Sequence, residues 1–166
     1  MTTSAQVRNK GVQTQRLLKV SAGAKGKSEV TFTSLIIPSG LGYARVGKLA
    51  EGVSVFKAEQ IRARAKLEEC LFSSIIGYSE AHYKRLIRNK SELLKEGASN
   101  RLYRFAEVID HAVDLYDGDQ DTALRWLSHP NPAFGNQPPM QMLKSEVGAD
   151  MVDKFISQLE LGILPI

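Results

Sequence analysis

The most regular pattern in the chain runs from Leu102 to Tyr116. Leu102, Phe105, Ala106, Ile109, Ala112, Val113 and Tyr116 recur at i, i+3, i+4 and i+7, the stripe of an amphipathic helix. Ser99 or Asn100 would open this helix. Asp117-Gly118-Asp119 would close it, with Gly118 free to take a left-handed cap. Upstream, Ser54 can cap a helix through Phe56 to Ala65 that turns Val55, Ile61 and Ala65 inward. A second helix is expected from Lys66 to Ile75. Gly77 breaks it, and Ser79 caps a third, EAHYKRLIRNK. Helix, glycine turn, helix is the outline of a helix-turn-helix unit. Downstream, Asp119 or Asp121 starts TALRWLS, which His129-Pro130 stops. Pro139 leads a short helix, MQMLK, because proline is preorganised for a first helical position. Gly148 interrupts the chain again. The last helix, ADMVDKFISQLELG, turns Met151, Val152, Phe155, Ile156 and Leu159 inward and ends at Gly162.

Two stretches lack a helical period. Val30, Phe32 and then Leu35, with threonines between, predict a short strand that ends at Pro38-Ser39-Gly40. Residues 1 to 28 are rich in Ser, Gly, Lys and Gln and have no core pattern. They read as a mobile tail with a short helix near Gln15 to Val20.

Composition narrows the class. With 166 residues, 43% hydrophobic and 24% charged, the chain fits one globular domain or two small ones. No apolar run approaches the ~20 residues of a membrane-spanning helix, and the first residues lack a signal-peptide core, so a cytoplasmic protein is expected. Cys70 is the only cysteine, which excludes internal disulfides and cysteine-rich zinc sites. Its setting, ECLFSSII, predicts a buried apolar role. The net charge of +4 is unevenly spread. Arg8, Lys10, Arg16, Lys19, Lys25 and Lys27 precede the first acid, Glu29. Lys84, Arg85, Arg88, Lys90, Lys95, Arg101 and Arg104 follow between 81 and 104. Glu107, Asp110, Asp114, Asp117, Asp119 and Asp121 then occupy a segment without Lys or Arg. A basic front and an acidic patch imply two surfaces with different partners.

The segment ALRWLSHPNPAFGNQPPMQML holds the only tryptophan and four of the six prolines. Pro130 and Pro132 force the residues before them out of helical geometry. Asn131 and Asn136 can satisfy turn backbone, and Trp126 with Phe134 can pin the connector to the helices beneath. A rigid loop on a helical frame presents a surface; it does not make a deep catalytic pocket.

This run, from Ala112 through LYDGDQDTALRWLSHPNPAFG, QPPMQMLKSEVG and LELGI, resembles the C-terminal domain of the Xre/MbcA/ParS antitoxin family. Ala112, Ala123, Trp126, Leu127, Pro130, Asn131, Pro132, Pro139, Leu143, Gly148 and Gly162 carry the resemblance, over about residues 105 to 164. Joined to the helical pattern above, it implies an all-α protein, with residues 41–104 a helix-turn-helix-like DNA-binding and dimerisation domain and 105–166 a small toxin-binding domain. Residues 1–40, the mobile basic tail with its short strand, extend beyond what the family pattern requires. The resemblance also implies a bacterial antitoxin that blocks an NAD-consuming RES-domain toxin and represses its own operon as a homodimer, with no cofactor of its own.

Site residues follow from both readings. Ser79, His82 and Tyr83, with Glu80, stand at the front of the helix where base edges would be read, and Lys84, Arg85 and Arg88, with Lys90 and Arg101, can meet phosphates. Toxin contacts are expected from Trp126, Asn131 and Phe134, and from the tail Glu160, Gly162, Ile163, Leu164, Pro165 and Ile166, whose apolar end is either docked on its own domain or offered to a partner. Catalytic and metal readings fail. His82, His111 and His129 share no ligand spacing. Asp110-His111 reads as a surface pair. Asp117, Asp119 and Asp121 mimic a calcium loop, but Thr122 and Ser128 stand where glycine and glutamate are needed. A stand-alone helix-turn-helix regulator, whose C-terminal domain dimerises or senses a ligand, is the alternative function. A pure interaction module is the second.

Overall fold

The computed structural model describes residues 30–37, 44–89 and 92–163. The N-terminal tail, the expected helix near Gln15 to Val20, Lys90 and the end residues Leu164, Pro165 and Ile166 lie outside them. Among the described residues the regular structure is helical, with no strand. The helices are α1 (Phe32–Ile36), α2 (Ala44–Glu51), α3 (Val55–Arg64), α4 (Glu69–Ile76), α5 (Glu80–Arg88), α6 (Glu96–Leu115), α7 (Gln120–Ser128), α8 (Pro139–Met142) and α9 (Glu146–Glu160).

The central element is α6, which packs against α1, α2, α4, α7 and α9. Its stripe is the one read from the sequence: Leu102, Phe105, Ala106, Ile109 and Ala112 are buried. Its start differs. Lys95 is the N-cap, without a side-chain cap, and Glu96 begins the helix. Ser99 lies within α6 as a buried crosslink. Its Oγ accepts from the Val53 amide at 2.9 Å and reaches the Leu94 carbonyl at 3.4 Å. This ties α6 to a short pairing between 53–55 and 92–94, in which Leu94 N donates to Val53 O and Val55 N to Glu92 O. The expected domain boundary after Arg104 falls inside α6. A single cluster of buried apolar residues runs across it, from Phe32 to Ile156.

The predicted strand is a helix. Phe32 and Ile36, four residues apart, form one buried face of α1, so the alternation was misleading. Thr31 caps α1 through Ser34 N. The decisive partner is distant in sequence. The Asp110 carboxylate accepts from Phe32 N at 2.6 Å, Thr33 N at 2.8 Å and Thr33 Oγ1 at 2.8 Å. Lys57 Nζ meets the Ile36 carbonyl at the other end, and the Arg64 guanidinium lies 4.4 Å from the Phe32 ring centroid. Asp110 is therefore a tertiary cap, where a surface pair with His111 was expected.

Other expectations hold or shift slightly. Ser54, Ser79 and Asp119 cap α3, α5 and α7. Gly77 ends α4 in the left-handed region. The helix expected from Lys66 begins at Glu69, because Lys66 itself has φ 56. Cys70 is exposed, not buried: α4 turns Phe72, Ile75 and Ile76 inward and leaves Cys70 on the other side.

Candidate functional site

Two surfaces carry the candidate residues. The first is α4, the turn Gly77-Tyr78-Ser79, and α5. Four positions of α5 face solvent together: Ala81, Lys84, Arg85 and Arg88, at i, i+3, i+4 and i+7. Lys84 pairs with Glu80 one turn back. Arg85 Nη2 lies 3.0 Å from His82 Nδ1, and the His82 ring packs against Tyr78 with centroids 4.7 Å apart. The Ser79 hydroxyl accepts from His82 N and is spent as the cap. Tyr83 does not stand where a base edge could be read. It is fully buried, its ring 5.6 Å from Phe72 and its hydroxyl donating to Glu59 Oε1 at 2.6 Å. Burial first, and then the Glu59 carboxylate, push its pKa far above the ordinary phenol value. The periodicity of α5 carried this signal, since Tyr83 and Leu86 are its buried pair. Arg101 leaves this face, crossing Gly77 towards Glu146.

The second surface is built by α7, the connector, α8 and α9. Asp119 opens α7 by accepting from Thr122 N and Thr122 Oγ1. After His129 the chain closes a small ring. Asn131 N donates to Gln137 O, Asn136 N donates to Asn131 O, and Asn131 Oδ1 accepts from Ala133 N. Pro132 to Phe134 form one 3-10 turn, and Gly135 and Asn136 take positive φ to leave it. Asn131 thus shapes the loop from within. Phe134 is buried, with its ring 5.1 Å from Phe155. Trp126 stacks on the opposite flank of that cluster, 6.3 Å from Phe155 at an interplanar angle of 16°, with Tyr116 beyond it at 6.4 Å. Trp126 is half-buried, so one edge of the stack remains open. The connector is pinned as its aromatic residues predicted.

Pro139 starts α8 and Ser145 caps α9 through Gly148 N. Gly148 does not interrupt the chain. It lies in the first turn of α9, where a Cβ would stand 2.0 Å from the Met142 carbonyl oxygen. Only glycine permits this approach of the α8 end to α9.

Helix α9 has three sides. Ala149, Val152 and Ile156 are buried. Asp150, Asp153 and Glu160 lie along the flank that meets α6. There Arg104 Nη2 contacts Asp150 at 2.6 Å and Asp153 at 3.2 Å, and His111 lies between Asp153 and Glu160. The third side faces out. Val147 is 71% exposed, Met151 46%, Leu161 73% and Ile163, just beyond, 54%. Met151 was expected inside, but the helix begins three residues earlier than its sequence suggested and the burial phase follows Ala149, Val152 and Ile156. Val147, Met151 and Leu161 share one side of about 20 Å, together with Lys154 and Gln158. Gly162 ends the helix at φ 70. Among the described residues no group of three or more His, Cys, Asp or Glu could hold a metal ion, and no helix is long and apolar enough to cross a membrane.

The profile of the antitoxin Xre/MbcA/ParS C-terminal toxin-binding domain matches residues 111–162. The span contains the connector, the aromatic cluster and α9. Over 140 residues the chain is 31% identical to antitoxin Xre of Photorhabdus laumondii, covering 84% of this chain and 94% of that protein. It is 28% identical over 137 residues to antitoxin Xre of Yersinia enterocolitica, covering 82% and 92%. A shorter match, 36% over 64 residues, joins it to antitoxin Xre of Pseudomonas putida and covers 39% of this chain. With a relative 31% identical over 84% of this chain and a matched toxin-binding domain, the chain belongs to the Xre/MbcA/ParS family of antitoxins, which act by binding a toxin and not by catalysis.

Proposed function

We propose that this antitoxin, in the bacterial cytoplasm, neutralises an NAD-consuming RES-domain toxin by covering its active-site entrance with the α9 side of the toxin-binding domain. The carrying observation is the exposed apolar row Val147, Met151, Leu161 and Ile163. An apolar row of this kind on a charged helix contributes affinity when a partner removes it from water, at about 25 cal/mol per Å² buried. Trp126, with its open edge, extends the contact, and Glu160 and Gly162 form its far end. Leu164, Pro165 and Ile166 continue from there as the element that reaches into the cleft. Asn131 and Phe134 act one step back, by fixing the connector that supports the aromatic stack.

DNA binding is the second half of the reading. The exposed stripe of Lys84, Arg85 and Arg88 supports operator contact by a homodimer, with His82 held beside Arg85. The first test is co-expression with the neighbouring gene and native mass spectrometry of the tagged product. A stable heteromeric complex that Leu161→Asp disrupts supports the toxin-binding reading. A lone homo-oligomer that binds operator DNA tightly favours the stand-alone regulator. Deleting Gly162 to Ile166 tests tail insertion: unchanged affinity and unchanged protection remove it.

A further inference from the structure

His111 sits in α6 with both ring nitrogens facing carboxylates of α9. Nδ1 lies 2.7 Å from Asp153 Oδ1, and Nε2 lies 3.2 Å from Glu160 Oε2. An ionised carboxylate only accepts hydrogen bonds, and a neutral imidazole has one N–H. Both contacts are hydrogen bonds only when the ring is protonated. A neutral ring turns a lone pair towards one of the two carboxylates.

Glu160 is the carboxylate with more to lose. Asp153 keeps a second partner, Arg104 Nη2 at 3.2 Å, while the contacts of Glu160 run to His111. Glu160 is also the last residue of α9, where the helix dipole disfavours a negative charge. A cation opposite it offsets that. Beyond it the amides of Leu161, Gly162 and Ile163 close the helix on the carbonyls of Ser157, Leu159 and Gln158.

We propose that His111 is a proton-controlled latch that holds the final turn of α9 against α6 and thereby sets how Leu161 to Ile163 are presented. As a control on partner binding, the latch rests on the toxin-binding reading above. The surrounding charges fit the role. On α6, Glu107 pairs with Arg104, Asp110 is turned to the α1 amides, and Asp114 adds negative charge near the ring. On α9, Asp150 is held by Arg104. Burial works against a charged His111, but Asp153 and Glu160 outweigh it and raise the pKa above the ordinary histidine value. The stabilisation is therefore complete below the unfolded-state value, ~6.5, and disappears as pH rises through the raised folded-state value.

The test uses the full chain and reads amide protection factors at Leu161, Gly162 and Ile163 between pH 6 and 8.5, with the His111 ring followed by nitrogen NMR. The latch predicts a doubly protonated ring at pH 6 and several-fold lower protection at pH 8.5. Glu160→Gln, an exposed and conservative change, should flatten that dependence, and His111→Gln should give the low protection at every pH. Protection that ignores pH in the wild type, or a dependence that survives Glu160→Gln, overturns the latch. The co-expressed partner is then titrated at both ends of the range. Weaker association of the wild type at pH 8.5 and a flat response in Glu160→Gln support control of binding. Equal wild-type affinity at both ends overturns it. A partner that binds neither protein at either pH removes the toxin-binding reading, while the exchange data on the free chain still decide the latch.

Discussion

Helices α5 and α9 are both amphipathic surface helices, yet they leave opposite chemistry exposed. In α5 the outward stripe is cationic, with Lys84, Arg85 and Arg88 around Ala81. In α9 the cations and acids are drawn aside to the α6 seam or stand singly, and Val147, Met151 and Leu161 face water. The difference predicts different partners. A cationic stripe attracts polyanions over a Debye length, about 8 Å at physiological salt, and loses affinity as salt rises. An apolar row is indifferent to salt and binds only what fits against it. One chain thus carries a long-range electrostatic face and a short-range complementary face on one hydrophobic core.

The sharpest break of this comparison is in the frame of α9. Gly148→Ala places a Cβ against the backbone oxygen of Met142, which cannot rotate away. The expected loss is about 3 kcal/mol, the upper range for overpacking, seen as a fall in thermal midpoint and a loss of partner binding. Gly97→Ala in α6 is the control. Nothing lies within 4 Å of its Cβ position, so it should be neutral or slightly stabilising. Equal effects for the two substitutions would remove the close-approach argument. A smaller loss is expected from Asp110→Ala, which leaves the first amides of α1 without their acceptor. About 2 kcal/mol is expected, with faster proteolysis between Val30 and Ile37 and little change at α9.

What the sequence could reveal follows the range of the interaction. Ser54, Ser79, Asp119 and Pro139 act within one helical turn, so their roles were readable from neighbours. The α6 stripe is likewise local. Several of the failures depend on partners that the local pattern does not show. Helix α1 is fixed by Asp110, 77 and 78 residues away, and alternation alone pointed to a strand. Ser99 looked like a cap but crosslinks to Val53, 46 residues away. Gly148 looked like a breaker because the carbonyl of Met142 that requires it cannot be seen in a pattern. The connector was legible because proline, asparagine and aromatic residues specify it locally. The apolar row of α9 was not, since its phase depends on where Ser145 starts the helix. Tyr83 is a different miss: its periodicity with Leu86 was available, and the functional expectation overrode it.

Tyr83 also separates fold from function on the α5 side. Tyr83→Phe removes one buried hydrogen bond to Glu59 and should cost about 1 kcal/mol. The loss should carry a pH signature. Burial works to raise the Glu59 pKa, but hydrogen bonds from Arg62 and Tyr83 outweigh it, and the group stays below its ordinary value. Its stabilisation is present above the unfolded-state pKa, ~4.3, and is lost as pH falls through the lowered folded value. Tyr83→Phe should therefore cost a constant amount from pH 7 to 9, and its difference from the wild type should narrow as pH falls through the Glu59 titration, because the hydrogen bond it removes favours the ionised carboxylate. An acid limb identical to the wild type would show that the hydroxyl contributes nothing to Glu59.

The smallest effect on the fold is expected where the effect on DNA should be largest. Arg85 and Arg88 are exposed, so the double substitution to Ala should change stability by less than about 0.5 kcal/mol. Each phosphate contact contributes about one unit to the slope of log affinity against log salt, so the slope should fall by about two. Tyr83→Phe should leave that slope unchanged although it weakens the fold more. The pairing of the two variants matters because either result alone has a trivial explanation: unfolding weakens any binding, and removing positive charge weakens any attraction to a polyanion. If the slope moves with Arg85 and Arg88 and not with Tyr83, the cationic stripe meets phosphate directly. If both variants move it equally, DNA contact lies elsewhere on the chain, and α5 differs from α9 only in which charges it leaves in water.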